Sequence, residues 1–533
     1  MRRWRSYTRE RSCDRIRRVT RSLLLFVAFL QALHFEPAQP ELFGAGANFT
    51  NAWADYDGDG DPDLFVGFDG TPNRFYRNER GVFSDVATAA GIADARSTRA
   101  AAWGDFDADG DPDLLVGFTP ASATAGKPGS AEAKAGPTTS VLRLYRNDGG
   151  KFVDHTAPGG LLVEKGAVRQ PAWIDFDGDN DLDLFVAFRD RPNALFRNDP
   201  VPSPTVSRTV FRDIAADVGL ADARRTVGAV WFDFDQDGDL DLAVANMDGD
   251  ANGLFRNDGG RFTDVADAVG IAWGGRKPGD KTNGTVRVCA PDVNNDGRFD
   301  LFFANYGKNG LFLNNTTSSG TGTGTAAFSD ASAAWGIDHD ARYDACVFDD
   351  FDNDGRIDFY VNGTVTGGVS YPDFLFRNMG DRFADVTPNR LKVLHADHGA
   401  QWADYDNDGD VDLALTGAQP NGMHLLFTNM LDAADAQRSL KVRVVDARKR
   451  ATRAGAEVRV LTAGTSRVVA TRLVDSGTGY DAQNDLPVHI GLSTMAAVDV
   501  EVVFPRGGKR VTTKQARVDP RSWRGKTLTI QVE

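Results

Sequence analysis

The sequence predicts an all-β protein: a seven-bladed β-propeller followed by a small β-sandwich. Three observations carry this. One acidic decapeptide recurs seven times, at spacings of 50, 70, 58, 59, 58 and 54 residues. Each copy sits among short strand patterns, and four antiparallel strands per ~50–60 residues make one propeller blade. From about Ser439 the decapeptides stop and alternating apolar strands such as LKVRVVDA, AEVRVLTA and VDVEVVFP take over, the pattern of a sandwich.

Composition agrees with this division. A chain of 533 residues with 41% hydrophobic residues holds one large β-architecture plus a smaller module, and wholesale disorder is excluded. The 56 Gly and 22 Pro supply the turns between short strands. Lys+Arg 60 against Asp+Glu 75 leaves −15, which speaks against nucleic acid as a partner, because phosphate binding wants a basic face. The acid is lopsided, with 9 Glu against 66 Asp. Asp is the carboxylate of turns, caps and metal loops.

Residues 1–33 read as a signal peptide. Nine Arg fall within residues 1–21, and Ser22 to Leu33 form an apolar run of twelve. A membrane-spanning helix needs ~20 residues, so an export signal fits and no stable membrane span is expected after its removal. The expected location is secreted, periplasmic or cell-surface. The leader takes +7 with it and leaves about −22 on the mature chain. Of the 3 Cys, Cys13 lies in the leader, while Cys289 and Cys346 stand three and four residues before their decapeptides. Those offsets point to opposite faces of a strand, so two separate buried thiols are expected rather than a bridge.

The decapeptides supply the candidate metal ligands. DYDGDGDPDL carries Asp55, Asp57, Asp59, Asp61 and Asp63; DFDADGDPDL carries Asp105, Asp107, Asp109, Asp111 and Asp113. DFDGDNDLDL carries Asp175, Asp177, Asp179, Asp181 and Asp183; DFDQDGDLDL carries Asp233, Asp235, Asp237, Asp239 and Asp241. DVNNDGRFDL carries Asp292, Asn294, Asp296, Arg298 and Asp300; DFDNDGRIDF carries Asp350, Asp352, Asp354, Arg356 and Asp358. DYDNDGDVDL carries Asp404, Asp406, Asp408, Asp410 and Asp412. Positions 1, 3, 5 and 9 offer side-chain oxygens, and position 7 offers a backbone carbonyl. Backbone ligation explains why position 7 tolerates Arg298 and Arg356. Position 6 is Gly except at Asn180, as a turn with φ > 0 requires. Four carboxylates within nine residues repel strongly without a cation. About seven Ca2+ are therefore expected, with Mg2+ disfavoured because it resists an all-protein oxygen cage. An EF-hand is excluded, since position 12 is Val, Phe or Leu instead of Glu.

The flanking strands repeat in phase. Trp53, Trp103, Trp173, Trp231 and Trp402 each stand two residues before a loop and read as core. A third-strand element (RFYRN ending at Asn78, GLFRN ending at Asn257) and a fourth headed by Phe83, Phe152, Phe211, Phe262, Phe328 and Phe383 follow. No fourth element follows LLFTN at Asn429. Its missing counterpart, HFEPAQPELF with Phe35, stands before blade 1. The N-terminus is thus expected to supply the outer strand of blade 7 and close a propeller over residues 34–430.

These repeats resemble the FG-GAP/VCBS repeats of integrin alpha-chain propellers, and more closely those of bacterial relatives of cartilage acidic protein. The resemblance implies that the acidic loop joins the first and second strands of each blade and holds calcium. Residues 439–533 resemble the ASPIC/UnbV domain at Gly455-Ala456, SGTGY, VHIGL and Phe504-Pro505-Arg506-Gly507, with Phe504 where that family more often has Trp.

No GxSxG, HExxH, P-loop or dinucleotide fingerprint occurs. Ser476 and His489 read as turn and core, and His395, Asp397 and His398 as a polar loop at the propeller mouth. The expectation is no enzyme but a secreted calcium-binding module for extracellular protein or glycan ligands. The alternative is a lectin-like or polysaccharide-active protein on the same propeller. The ligand face expected is the one opposite the acidic loops. It includes Thr119–Ser140, Asn246–Asn252, Trp273–Gly284, Asn362–Pro372 and His395–His398, with Arg99, Arg169 and Arg287 at an axial mouth suited to an anionic ligand such as an acidic glycan.

Overall fold

A computed structural model describes residues 33–532 except 120–139, 202–207, 318–326, 367–368, 393, 395–397, 419–421, 476, 478–481 and 485–486. The leader, most of Thr119–Ser140, the His395–Asp397 loop and Ser476 lie outside the described residues.

Blade 1 comprises Asn48–Ala54, Asp63–Phe68, Arg74–Glu79 and Val82–Asp85 as one antiparallel meander. Six further four-stranded units repeat the plan. Their first strands are Thr98–Gly104, Val168–Ile174, Thr226–Phe232, Thr285–Cys289, Asp340–Asp349 and Ala400–Ala403. Each first strand packs beside the next, and that of blade 7 packs beside that of blade 1. The ring is closed. Blades 5 and 6 also share a continuous sheet through Tyr306↔Arg342, Gly307↔Ala341 and Lys308↔Asp340.

The tryptophans fill the gaps between blades. Trp53, Trp103, Trp173 and Trp402 are fully buried. Trp103 donates its indole N–H to the Ala52 carbonyl at 3.2 Å, Trp173 to Ala102 at 3.3 Å and Trp402 to Val347 at 3.2 Å. Each acceptor lies on the preceding blade, so the ring fixes both the apolar body and the polar edge of the indole.

Closure follows the phase of the repeats. Phe35, Glu36 and Pro37 pair with Asn429, Thr428 and Phe427, completing blade 7 with an N-terminal strand. Phe35 is buried against Trp402, and Glu36 pairs with Arg390.

After the short helix Ala433–Ala436 comes a second body. Ser439–Val445 lies between Val488–Gly491 and Thr527–Gln531, and Glu457–Thr462 lies between Val468–Leu473 and Val498–Pro505 with Arg510–Val518 outside. Leu440, Val442, Val458, Val500, Phe504 and Leu528 belong to the single core between these sheets.

Cys289 and Cys346 correct the expectation of separate thiols: they form a disulfide, with Sγ atoms 2.07 Å apart and Cα atoms 6.6 Å apart. Opposite parity keeps two side chains apart only when their strands lie in one sheet. The two cysteines lie in the first strands of blades 5 and 6, which stack face to face. Residues on opposite faces of their own sheets then point at each other. The bond spans 57 residues, so a Cys289→Ala/Cys346→Ala double variant should lose about 4 kcal/mol of stability on the chain-entropy account. Denaturant titration checks this, and an unshifted midpoint contradicts it.

Candidate metal loops and the face they occupy

The seven decapeptides all connect first to second strands on one side of the ring. Position 6 has positive φ throughout, from 76° at Asn180 to 106° at Gly409. Position 4 is left-handed as well: Gly58, Ala108, Gly178, Gln236, Asn295, Asn353 and Asn407 all have φ between 54° and 75°. The sequence reading missed this column, although its drift toward Asn and Gly was the signal. Two left-handed residues two apart coil the loop tightly, so that alternate side chains turn inward.

Acidic clusters with ligand atoms within 4.8 Å of one another recur among the described residues, and they include positions 1, 3 and 9 of five loops: Asp55/Asp57/Asp63, Asp105/Asp107/Asp113, Asp175/Asp177/Asp183, Asp233/Asp235/Asp241 and Asp350/Asp352/Asp358. Position 5 accepts the position 7 N–H, as Asp59 does from Asp61 at 3.0 Å. Position 7 side chains turn away in loops 1 and 5: Asp61 accepts from the Arg80 N–H at 2.9 Å, and Arg298 donates to the Asn314 carbonyl at 2.8 Å. Indifference to the position 7 side chain is thus structural.

Burial makes these clusters electrostatically costly. It is the first cause pushing Asp63 up to about 8, Asp113 to about 9 and Asp233 to about 8, with neighbouring carboxylates adding to it. Asp55 Oδ1, Asp107 Oδ1, Asp175 Oδ1, Asp235 Oδ1, Asp352 Oδ1 and Asp404 Oδ1 are buried with no hydrogen-bond partner. A buried carboxylate oxygen left unpaired is expensive. An all-oxygen set of this kind suits a hard divalent cation, and the clusters are able to hold a metal ion.

The third-strand Asn does more than hold its place in the strand. Asn78 donates its backbone N–H to Asp63 Oδ1 at 2.8 Å, and its Nδ2 to Pro62 at 3.0 Å and to Tyr405 of blade 7 at 2.8 Å. Asn147, Asn198, Asn314, Asn378 and Asn429 repeat this reach to another blade. One residue therefore orients the position 9 carboxylate through its backbone N–H and stitches blades together through its side chain. Its recurrence at one place in every copy was the available clue.

Comparison with known proteins places these loops. The FG-GAP-like repeat model matches residues 55–116, 175–244, 292–361 and 350–415, which contain all seven loops, and the ASPIC and UnbV model matches 447–523. The chain is an FG-GAP-like repeat protein with an ASPIC/UnbV domain. It is 26% identical over 355 residues to cartilage acidic protein 1 of Xenopus tropicalis, covering 64% of this chain and 52% of that protein. It is 27% identical over 357 residues to the human protein, covering 64% and 51%. The chain thus spans about half the length of these curated relatives. Among solved structures, BBS1N in complex with ARL6DN aligns with a TM-score of 0.43 at 10% identity, over 75% of this chain and 98% of that one. Rhamnogalacturonan lyase YesW aligns with a TM-score of 0.36 at 12% identity, over 74% and 75%. Among the described residues no helix is long and apolar enough to cross a membrane.

The ASPIC/UnbV domain is seated on the loop face of the FG-GAP-like repeats. Position 1 carboxylates meet its cations around the ring: Asp175 with Arg453 at 3.0 Å, Asp233 with Arg510 at 2.6 Å, Asp404 with Lys441 at 3.3 Å and Asp55 with Arg443 at 3.8 Å. Residues 439–533 carry 17 Lys+Arg against 9 Asp+Glu, a basic domain on an acidic propeller. The domain also reaches the axis. Gln483 exchanges 3.2 Å backbone bonds with Asn51 and Trp53 and bonds its side chain to the Trp103 backbone, while Asn484 accepts from the Trp402 N–H at 3.1 Å. His489 is buried against Asp349 at 2.7 Å.

Arg287 departs from its expected place at an open mouth. It is fully buried, donating to Gln170 and to the Ala229 carbonyl at 2.7 Å each and to the Gly477 carbonyl of the ASPIC/UnbV domain. A shift of one residue from the offset of Arg99 and Arg169 turns the side chain from the rim into the axis.

The opposite face keeps the other rim residues. The position six before each loop holds Phe49, Arg99, Arg169, Val227, Val286, Asp344 and His398. In blades 1 to 6 it coincides with a register shift in the first strand, the kind of bulge that re-aims a side chain. Arg99 stacks on Phe49 at 4.6 Å, Phe49 faces His398 at 5.4 Å, and His398 lies 3.3 Å from Asp344. The row therefore runs continuously from blade 2 through blades 1 and 7 to blade 6. His398 is buried beside Asp344, a packed position at the mouth.

Proposed function

We propose that this protein is an extracellular, calcium-carrying binding module whose ligand meets the open face of the propeller at its axial mouth. Calcium would be held by side-chain oxygens of positions 1, 3, 5 and 9 with the position 7 carbonyl, and would supply the charge neutralisation that lets seven acidic loops pack on one face. The Cys289–Cys346 bond and the likeness to cartilage acidic protein 1 support an oxidising, extracellular setting. The reading assigns no catalytic role.

The observation that carries the choice of face is the rim six residues before each loop. Arg99 and Arg169 stand on adjacent blades, with Asp344 and His398 across the ring. The loop face is meanwhile covered by the C-terminal domain. A rim with one cationic side fits a protein or glycan ligand that displays a carboxylate or sulfate, such as an acidic glycan. The test is a glycan and extracellular-protein array probed with the full chain in calcium, beside an Arg99→Ala/Arg169→Ala variant and an Arg212→Ala control on an outer strand. A ligand whose affinity falls at least tenfold in the double variant and holds in the control is expected. Equal binding by all three proteins rejects the axial mouth.

A further inference from the structure

We infer that the metal loops also latch the C-terminal domain to the propeller, so that ion binding and domain docking are thermodynamically linked, with loops 3, 4 and 7 as the main points of attachment. The inference rests on reading the loops as calcium sites and adds a second consequence to it.

Loop 3 shows the arrangement most fully. Arg453 is buried and donates to Asp175 Oδ2 at 3.0 Å and to Asn180 Oδ1 at 2.6 Å. Arg450 donates to the Asn180 carbonyl at 2.9 Å and Arg506 to the Gly178 carbonyl at 3.0 Å. Asn180 is the one residue that breaks the position 6 glycine column, and here it is a docking handle. The carboxylate of Asp175 is shared: Oδ2 faces the domain, while Oδ1 is buried without a partner and the group belongs to the cluster with Asp177 and Asp183. In loop 4, Arg510 takes Asp233 Oδ2 at 2.6 Å and the Gly508 N–H donates to Asp239 Oδ1 at 2.7 Å. A Cβ on Gly238 would stand 2.3 Å from the Lys509 nitrogen. Loop 5 offers the Gly297 carbonyl to Arg459 at 3.1 Å.

The sign of the linkage follows from comparing two effects. A divalent ion weakens the Coulomb pull of a loop on Arg453. Loop 3 nevertheless has five Asp, so it stays anionic with one ion bound. What the domain recognises is mostly geometry: carbonyls at positions 4 and 6 and one chosen carboxylate oxygen. Those groups point outward only while the carboxylates are gathered inward, and without a cation their mutual repulsion opposes that coil. Calcium thus favours docking. Loop 2 is the internal contrast. Space beyond Gly110 is open, and no hydrogen bond is seen from the described residues of the domain to residues 105–113.

The experiment uses the full chain and tryptic cleavage after Arg438, the trypsin site in the segment between Asn429 and Ser439, which Asn353 of the propeller holds through the Ala436 carbonyl at 2.9 Å. Asp177→Ala and Asp107→Ala each remove position 3, from loops 3 and 2, and neither side chain touches the domain. Chelation of the wild type should speed cleavage at least tenfold. In calcium, Asp177→Ala should speed it severalfold while Asp107→Ala cuts at the wild-type rate. Reciprocity requires that Arg453→Met weaken one calcium site by calorimetry, a readout that stands even where Asp177→Ala fails to fold. Chelation without effect on cleavage, or equal rates in the two loop variants, overturns the latch. Metal analysis finding no ions would instead strike the calcium reading itself.

Discussion

Dialysed protein should carry close to seven calcium ions per chain, and a chelator should lower its melting temperature by more than about 10 °C. Each site held at a hundredfold excess over its dissociation constant adds about 2.7 kcal/mol to the folded state. The loops also give the ions a larger task than isolated sites would. Removing residues 1–33 leaves about −22 on the chain, and the domain seated on the loops is itself basic, so the propeller alone is more acidic still. Seven divalent ions relieve much of that self-repulsion. Asp237→Ala should cost one ion and spare the rest, because each loop draws its ligands from within itself. Elemental analysis finding one ion or none would refute this account.

Deleting residues 34–43 should open the ring. That segment supplies the outer strand of blade 7 through Phe35, Glu36 and Pro37. It also buries Phe43 against Tyr76, Phe83 and His424 of the adjoining structure. Loss of a buried Phe side chain costs about 3–5 kcal/mol, and two such residues leave together. The deletion further bares the edge of Leu425–Asn429, a template for pairing with other chains. The expected outcome is aggregation on size exclusion and a lower melting point. A monomeric profile with unchanged melting would show that closure does not depend on this segment.

Much of this was legible because the chain states it seven times. The left-handed position 6, the buried Trp two residues before five of the loops and the displaced Phe35 each stand in a column whose chemistry fixes its role. What escaped the sequence was contact between units. Cys289 and Cys346 meet because blades stack face to face, which parity along a single strand does not reveal. Arg287 differs from Arg99 by one residue in offset, and that step moves it from the rim to a buried bond with Gly477. Seating of the C-terminal domain left two traces in the sequence, a basic segment after an acidic repeat and the lone Asn180 among glycines. Both become interpretable only once Arg453 is seen resting on Asp175.

The joined sheet of blades 5 and 6 has a consequence for motion. Among the described residues these are the only adjacent blades that share a continuous sheet, and the disulfide crosses the same boundary. Tyr306 ties it again, donating to Asp344 at 2.9 Å beneath the Arg342 guanidinium. Thermal breathing of the ring is therefore uneven. The doubled blade behaves as one rigid block, and fluctuation collects at boundaries that lack a shared strand ladder. The stiff block thus acts as a fixed jaw, and Arg99 stands on the far side of the mouth from it.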